Sequence, residues 1–228
     1  MVVLVLRRLA LAIPVLLCVM TIAFVATLNT PGDPLAGLLP DNPTPEQYAQ
    51  ARREFGLDEP GAQQWLHYVT RTATGDLGRS LRTRKQVNED LGRAATATLE
   101  LSLIAFAITG VVGVTLGVLS AASAGRPLDH ALNVVTAAGA AAPIFWTAIM
   151  AQLVFYAWLQ WLPPGGRIDE YTFLLSPFPE RTGAYLVDSI VALDWPALAS
   201  VLAHLLLPAV ILAYRAVGLV VRITRSAM

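Results

Sequence analysis

The sequence has a single cysteine, Cys18, a single lysine, Lys85, and little charge of either sign. Charged residues make up 14% of its 228 residues, whereas soluble domains carry about 25%. One cysteine excludes a disulfide framework within the chain. The formal net charge of zero argues against nucleic acid as a partner. Hydrophobic residues make up 55% of the chain, and this composition predicts a membrane protein.

The residues predict no catalytic site, no metal site and no cofactor. A nucleotide-binding P-loop needs a lysine after glycine, but Lys85 follows Arg84, so the chain is not predicted to hydrolyse ATP itself. The three histidines, His67, His130 and His204, are scattered and have no partner at metal-ligand spacing. One enzymatic alternative stays open, an intramembrane serine protease, because Ser200 and His204 are one helical turn apart. No Gly-x-Ser-x-Gly nucleophile elbow accompanies them.

Four long apolar runs predict an all-α, polytopic helical membrane protein with four transmembrane helices. They cover residues 9–28, 101–124, 131–162 and 197–221. The first run is too long for a signal peptide and has no Ala-x-Ala-like cleavage site, so it is interpreted as a retained span. The expected organisation is a first span at 1–28, a polar external segment at 29–98 and a membrane core at 99–228.

The arginines near the ends of the apolar runs predict the orientation, because cytoplasmic flanks collect Lys and Arg. Both termini are therefore expected in the cytoplasm, and residues 163–196, which have a net negative charge, are expected outside. The residues assigned to the cytoplasmic flank are Arg7, Arg8, Arg126, Arg222 and Arg225.

Within the external segment, several short patterns predict local structure. Thr44, Pro45 and Gln47 form a capping-box pattern that starts a helix, and Gly56 stops it after Phe55. A second short helix is expected over residues 63–71. Turns are predicted at residues 31–34 and 75–78.

Small residues and prolines mark expected packing and bending sites in the spans. The Gly113-x-x-x-Gly117 spacing, with Gly110 before it, suits close approach of another helix, although glycine is also common in transmembrane helices generally. Pro143 is expected to kink the third span. Pro208 is assigned to the same group of packing or kinking residues.

Arg215 and His204 are the candidates for a pore or an interface. An arginine at mid-span costs roughly 2.5–3.5 kcal/mol on insertion scales and would face a cavity or a partner. The alternative is that the apolar core ends near Tyr214 and Arg215 snorkels to the headgroups. His204 is expected to face a neighbouring helix or the outer interface.

Eight short motifs follow one another along the chain in the order of one family. They are PGDP (31–34), FGLDEP (55–60), GDLGRS (75–80), ATLEL (97–101), APIFW (142–146), LPPGGR (162–167), HLLLP (204–208) and RITRSAM (222–228). In these motifs the chain resembles the membrane-spanning permease subunit of bacterial ABC importers for oligopeptides, dipeptides and nickel. The resemblance implies a subunit of the inner membrane that forms half of a translocation path.

The resemblance also implies the partners: a second permease subunit, two cytoplasmic ATPase subunits, an external solute-binding protein and the lipid membrane. Short peptides are the expected cargo, with nickel or another small solute as the alternative. The family has about six spans and an ATPase-contacting loop beyond the position of Met228, so the resemblance implies a chain truncated after its fourth span. A shortened permease that pairs without coupling would be a structural or regulatory subunit that does not transport.

Overall fold

The computed structural model describes residues 1–29, 42–54, 56–80, 82–175 and 178–228, together with Leu35, Leu39 and Pro40. Within these residues the chain is helical and has no strand, apart from an isolated bridge between Arg79 and Gln86. The predicted all-α fold class is confirmed. The helices are α1 (Val2–Asn29), α2 (Pro45–Glu54), α3 (Gly61–Ala73), α4 (Val87–Ala122), α5 (Pro127–Ala141), α6 (Ile144–Gln152), α7 (Glu170–Leu175), α8 (Tyr185–Val191) and α9 (Trp195–Ala227).

Three of the described helices, α1, α4 and α9, are long and apolar enough to cross a membrane. The pair α5 and α6, the latter extended by a π-helical stretch over Leu153–Trp158, makes a fourth candidate if the bent pair is one span. These elements agree with a polytopic helical membrane protein. The predicted first span, residues 9–28, lies inside α1.

The second and third spans differ from their predicted outlines. Helix α4 begins at Val87, well before residue 101, because Glu89 and Asp90 favour a helix N-terminus and no proline interrupts the helix after them. The third run was expected to be one kinked span, but α5 ends at Ala141 and α6 begins at Ile144, with the axes 101° apart. Pro143 disfavours helical backbone at Ala142, which is extended with ψ 136°.

The chain divides into two compact units, Met1–Gly92 and Arg93–Met228. In the first unit, α3 packs on α1. The Trp65 indole donates to the Thr21 hydroxyl at 3.1 Å, and the rings of Phe24 and Tyr68 stack with centroids 5.8 Å apart.

Helix α2 starts with the predicted capping box. The Gln47 amide donates to the Thr44 hydroxyl at 3.2 Å, and the Gln47 side chain accepts from the Thr44 amide at 2.9 Å. Gly56 has φ +65°, as a helix C′ glycine requires. The predicted turn at 31–34 and the predicted helix end at Phe55 lie outside the described residues.

The second unit is built around α9. One stripe of this helix is buried at every fourth position, and because an α-helix has 3.6 residues per turn, the stripe winds gradually around the helix axis. Helices α5, α6, α7 and α8 contact α9, and α4 approaches it through two glycines. The stripe consists of Ala197, Val201, Leu205, Ala209, Ala213, Val217 and Val221.

Candidate functional site

Glycines allow three helices of the second unit to meet closely. A Cβ atom on Gly113 of α4 would lie 2.7 Å from the Cβ of Val220, and one on Gly117 would lie 2.5 Å from the Cβ of Thr224. Real Cβ atoms do not approach so closely, so only glycine fits at these two positions. The backbone of α4 therefore contacts side chains of α9 at two positions about one helical turn apart.

Helix α5 meets α9 in the same way. A Cβ atom on Gly139 would lie 2.8 Å from the Tyr214 ring, and one on Gly218 would lie 2.9 Å from the Thr136 carbonyl oxygen. The Tyr214 hydroxyl donates to the Val135 carbonyl at 2.8 Å. This second seam fixes the middle of α9 against α5.

An ion pair with a buried carboxylate lies on α4 before the glycine contacts, toward the start of the helix. We call its surroundings the Glu100 cluster: Glu100, Arg167, Gly183, Tyr185 and Leu186. The Glu100 side chain is 4% exposed and accepts from Arg167 at 2.9 Å. Its other oxygen accepts from the Leu186 amide at 2.5 Å. Glu100 thereby attaches the polar segment between α6 and α9 to the α4 helix.

Arg167 makes two further contacts in this cluster. It donates to the Gly183 carbonyl at 2.8 Å, and its guanidinium carbon lies 3.8 Å from the centroid of the Tyr185 ring. Burial raises the pKa of Tyr185, and the hydrogen bond that its hydroxyl donates to Glu180 adds to the shift. Arg167 therefore contacts both the Glu100 carboxylate and the Tyr185 ring, and it joins the polar segment to α4.

Ser200 provides a second attachment for the same segment. Its hydroxyl accepts from the Asp169 amide at 2.9 Å, while the His204 Nδ1 donates to the Ser200 carbonyl at 2.7 Å. Asp169 in turn accepts from the Thr172 amide and hydroxyl at the start of α7, and these bonds lower the pKa of Asp169. Among the described contacts, no hydrogen bond joins the Ser200 hydroxyl to the His204 ring, as a protease would need.

A second buried carboxylate forms what we call the Asp129 cluster: Ser120, Gly125, Asp129, Asn133 and Arg225. The Asp129 side chain is 2% exposed and accepts four bonds, from the Ser120 hydroxyl at 2.5 Å, the Gly125 amide at 3.0 Å, Asn133 at 2.9 Å and Arg225 at 2.8 Å. These donors come from α4, from the turn after it, from α5 and from α9.

The structure separates the arginines that the sequence grouped together. All the arginines of the predicted flank are exposed, namely Arg7, Arg8, Arg126, Arg222 and Arg225, but Arg225 is also paired with the buried Asp129. Arg215 is exposed on the face of α9 that lies opposite the buried stripe. His204 is half-buried and bonded to its own helix. Pore roles for Arg215 and His204 stay predictions.

The predicted packing residues also have different surroundings. Gly113 and Gly117 contact α9, whereas no other atom lies within 4 Å of a Cβ placed on Gly110. Pro143 occupies the N-cap of α6, and α9 continues through Pro208. The packing role of Gly110 and the kink at Pro208 stay predictions.

Glu100, Arg167 and Asp129 are the residues whose roles the sequence reasoning missed. The available signal was a carboxylate directly beside a long charge-free apolar run, where an acidic side chain is expected to pair with a basic one. Within the described residues, no group of three or more His, Cys, Asp or Glu could hold a metal ion. The arrangement is that of a packed helical membrane body held by two ion pairs.

Two family sequence models match the chain. The model of the binding-protein-dependent transport system inner membrane component matches residues 113–228. The model of the N-terminal part of such membrane components matches residues 1–102. Together they cover the chain except for residues 103–112, and they include both Glu100 and Asp129.

Curated relatives agree with this match. The chain is 36% identical over 223 residues to the di/tripeptide transport system permease protein DppB of Pseudomonas aeruginosa, covering 97% of the chain and 65% of the relative. It is 38% identical over 211 residues to the probable D,D-dipeptide transport system permease protein DdpB of Escherichia coli K12, covering 92% and 61%.

A third relative, the dipeptide transport system permease protein DppB of Escherichia coli K12, is 34% identical over 225 residues, covering 98% of the chain and 66% of the relative. The chain thus spans somewhat less than two thirds of the length of these relatives. With matches to both family models and to these permeases over nearly its whole length, the chain belongs to the family of binding-protein-dependent transport system inner membrane components.

Proposed function

We propose that this protein is a permease subunit of an ATP-driven importer and that its cargo is short peptides. The observation that carries the proposal is the match of nearly the whole chain to permeases named for dipeptide and tripeptide transport. Importers of this kind bind cargo outside, and ligands shift the populations of their inward- and outward-facing states.

The packing of the second unit supports a role in a moving helical assembly. Close glycine contacts join α4 to α9 and α5 to α9, and at one of them Gly139 leaves room for the Tyr214 ring. Small-residue seams of this type drive helix association in membranes, where the hydrophobic effect between helices is absent. The exposed face of α9 and the exposed part of α1 that α3 does not cover are available to meet lipid or other subunits.

The proposal includes the partners, namely a second permease subunit, two ATPase subunits and an external solute-binding protein. In it, residues 29–98 and 163–196 lie outside, residues 99–228 contribute the permease core, and both ends of the chain lie in the cytoplasm of a bacterial cell. The exposed Arg7, Arg8, Arg126 and Arg222 support that orientation, because basic residues collect on the cytoplasmic side.

Uptake by whole cells tests the cargo. Deleting the gene should abolish uptake of radiolabelled dialanine, and supplying the intact gene on a plasmid should restore it. Radiolabelled nickel is measured in the same strains. Loss of nickel uptake with normal dialanine uptake would replace the peptide with a metal cargo, and normal uptake of both would contradict the importer role.

Reporter fusions test the orientation. Alkaline phosphatase, which folds only outside the cytoplasm, should be active when fused after Ser80 and inactive when fused after Met228. Green fluorescent protein at the same two positions should give the opposite pattern. Phosphatase activity after Met228 would reverse the proposed topology.

A further inference from the structure

In the Asp129 cluster, one arginine of the predicted cytoplasmic flank is bonded to a buried carboxylate. Asp129 lies in the first turn of α5, where a carboxylate is favoured by the helix N-terminus. Gly125, with φ +75°, turns the chain so that its amide reaches the same carboxylate. Each carboxylate oxygen accepts two bonds, so an ionised Asp129 has its acceptor capacity filled.

Arg225 is distinct from the other two arginines of α9. Arg215 and Arg222 make no ion pair within the described residues, whereas Arg225 reaches a carboxylate that lies 96 positions earlier in the sequence. A surface arginine that only marked the membrane boundary would not need a buried partner. Asp129 is 2% exposed and the Arg225 side chain is 41% exposed, so losing Arg225 would leave a buried carboxylate without its counter-charge.

The same three elements meet again immediately beside this cluster. Thr224, next to Arg225, contacts Gly117 of α4, and Ser120 of α4 donates to Asp129 one helical turn later. The last turns of α9 are thus attached to the α4–α5 hairpin by one close packing contact and one charged hydrogen bond. A shift of the end of α9 must either carry the hairpin with it or break the bond to Asp129.

We propose that Asp129 is a positioning residue which, through Arg225, makes the end of α9 and the α4–α5 turn move as one body. This inference rests on the proposed function. In an importer driven from the cytoplasm, it means that motion delivered near the end of α9 reaches the α4–α5 hairpin through this carboxylate. Asp129 contacts no cargo and acts through the position of α9.

A distance measurement on the chain alone tests the positioning. In a Cys18→Ser background, spin labels on Arg126→Cys and Ser226→Cys report the separation of the turn and the helix end in lipid nanodiscs. We expect a narrow distance distribution that broadens when Asp129→Asn is added. Arg222→Gln is the matched control, since it removes a nearby charge that has no described partner, and it should leave the distribution narrow. An unchanged distribution in Asp129→Asn overturns the proposal.

A transport measurement tests the consequence. The intact importer, with its ATPase subunits and binding protein, is reconstituted in vesicles, and dialanine taken up is compared with ATP hydrolysed. Asp129→Asn should lower this ratio by about fivefold or more, the size of an ordinary coupling between sites. The amount of assembled complex should stay the same. Arg225→Lys, which keeps the positive charge, should lower the ratio of dialanine to ATP less than Asp129→Asn does. Arg222→Gln should not change this ratio.

The outcomes separate the two proposals. If Asp129→Asn lowers only the amount of complex and leaves the ratio intact, the residue is merely structural and the inference fails. If the wild-type complex takes up no dialanine, the proposed cargo fails instead, and the distance measurement still decides whether Asp129 positions α9.

Discussion

Gly117 of α4 and Thr224 of α9 approach so closely that a Cβ atom on Gly117 would stand 2.5 Å from the Cβ of Thr224. The same helix carries Gly110, seven residues earlier, with open space where its side chain would be. Close packing therefore requires glycine at position 117 but not at position 110. Substituting each glycine by alanine tests this difference.

Gly117→Ala should destabilise the protein, since the added methyl group must push Thr224 or the α9 backbone aside. Overpacking of this kind costs about 1–3 kcal/mol. Gly110→Ala is the control and should be neutral or stabilise by up to about 1 kcal/mol, because alanine favours the helix. Unfolding in detergent, followed by tryptophan fluorescence, measures both. Equal effects of the two substitutions would contradict the close approach at Gly117.

Glu100→Gln should destabilise the second unit because Arg167 loses its buried counter-charge. Breaking a buried pair costs 3–5 kcal/mol in general, and we expect about 3 kcal/mol here, since the Arg167 side chain keeps 28% of its exposure to solvent. Glu170→Gln, at an exposed position, should change the unfolding free energy by less than about 0.5 kcal/mol. A loss at Glu100 no larger than that at Glu170 would mean that the ion pair contributes nothing.

Tyr214→Phe should cost about 0.5–1.5 kcal/mol, the usual net value of one hydrogen bond. The ring still fills the space over Gly139, and only the bond to the Val135 carbonyl is lost. Tyr171→Phe, where the side chain is exposed, serves as the control and should be neutral. The same detergent unfolding assay compares the two variants, and a neutral Tyr214→Phe would show that the hydroxyl is not needed to fix α5.

The turn after α3 should weaken in acid. Arg71 and the Gly78 amide hold the pKa of Asp76 below its ordinary value of 3.8. A carboxylate whose pKa is lower in the folded state stabilises that state above the unfolded pKa, and the contribution is lost as the pH falls through the folded value. Exchange of the Gly78 amide, corrected for the intrinsic rate, should therefore accelerate below about pH 4.

Asp76→Asn is the control for that titration. Asparagine can still accept from the Gly78 amide but does not titrate, so the acid-dependent part of the exchange should disappear. An acid-dependent exchange that persisted in Asp76→Asn would assign the effect to another group.

Local chemistry made much of the fold predictable. The capping box at Thr44 and Gln47 depends on residues three positions apart, and both of its hydrogen bonds are present. The apolar runs likewise predicted helices long enough to cross a membrane, since the period and length of such runs are properties of a single segment.

The charged contacts of the second unit were not predictable in this way. Arg167 and Glu100 lie 67 residues apart in the sequence, and Arg225 and Asp129 lie 96 apart. A single sequence states which residues are charged, but it does not state which helices are neighbours. For the same reason, the helical spacing of Ser200 and His204 suggested a contact that the structure replaces with a backbone bond and a bond to Asp169.

The break between α5 and α6 limits whether lipid tails can surround the backbone at this corner. Ala142 and Pro143 are outside both helices, and proline has no amide hydrogen to donate. Backbone of this kind is tolerated at membrane depth only where protein covers it or water reaches it. The Pro143 carbonyl accepts from the Thr147 amide at 3.1 Å. If α5 and α6 form one crossing, the carbonyl groups at the end of α5 that no helical amide reaches cannot face lipid tails, and the corner marks a point where the hydrocarbon layer gives way to a hydrated or protein-lined interior.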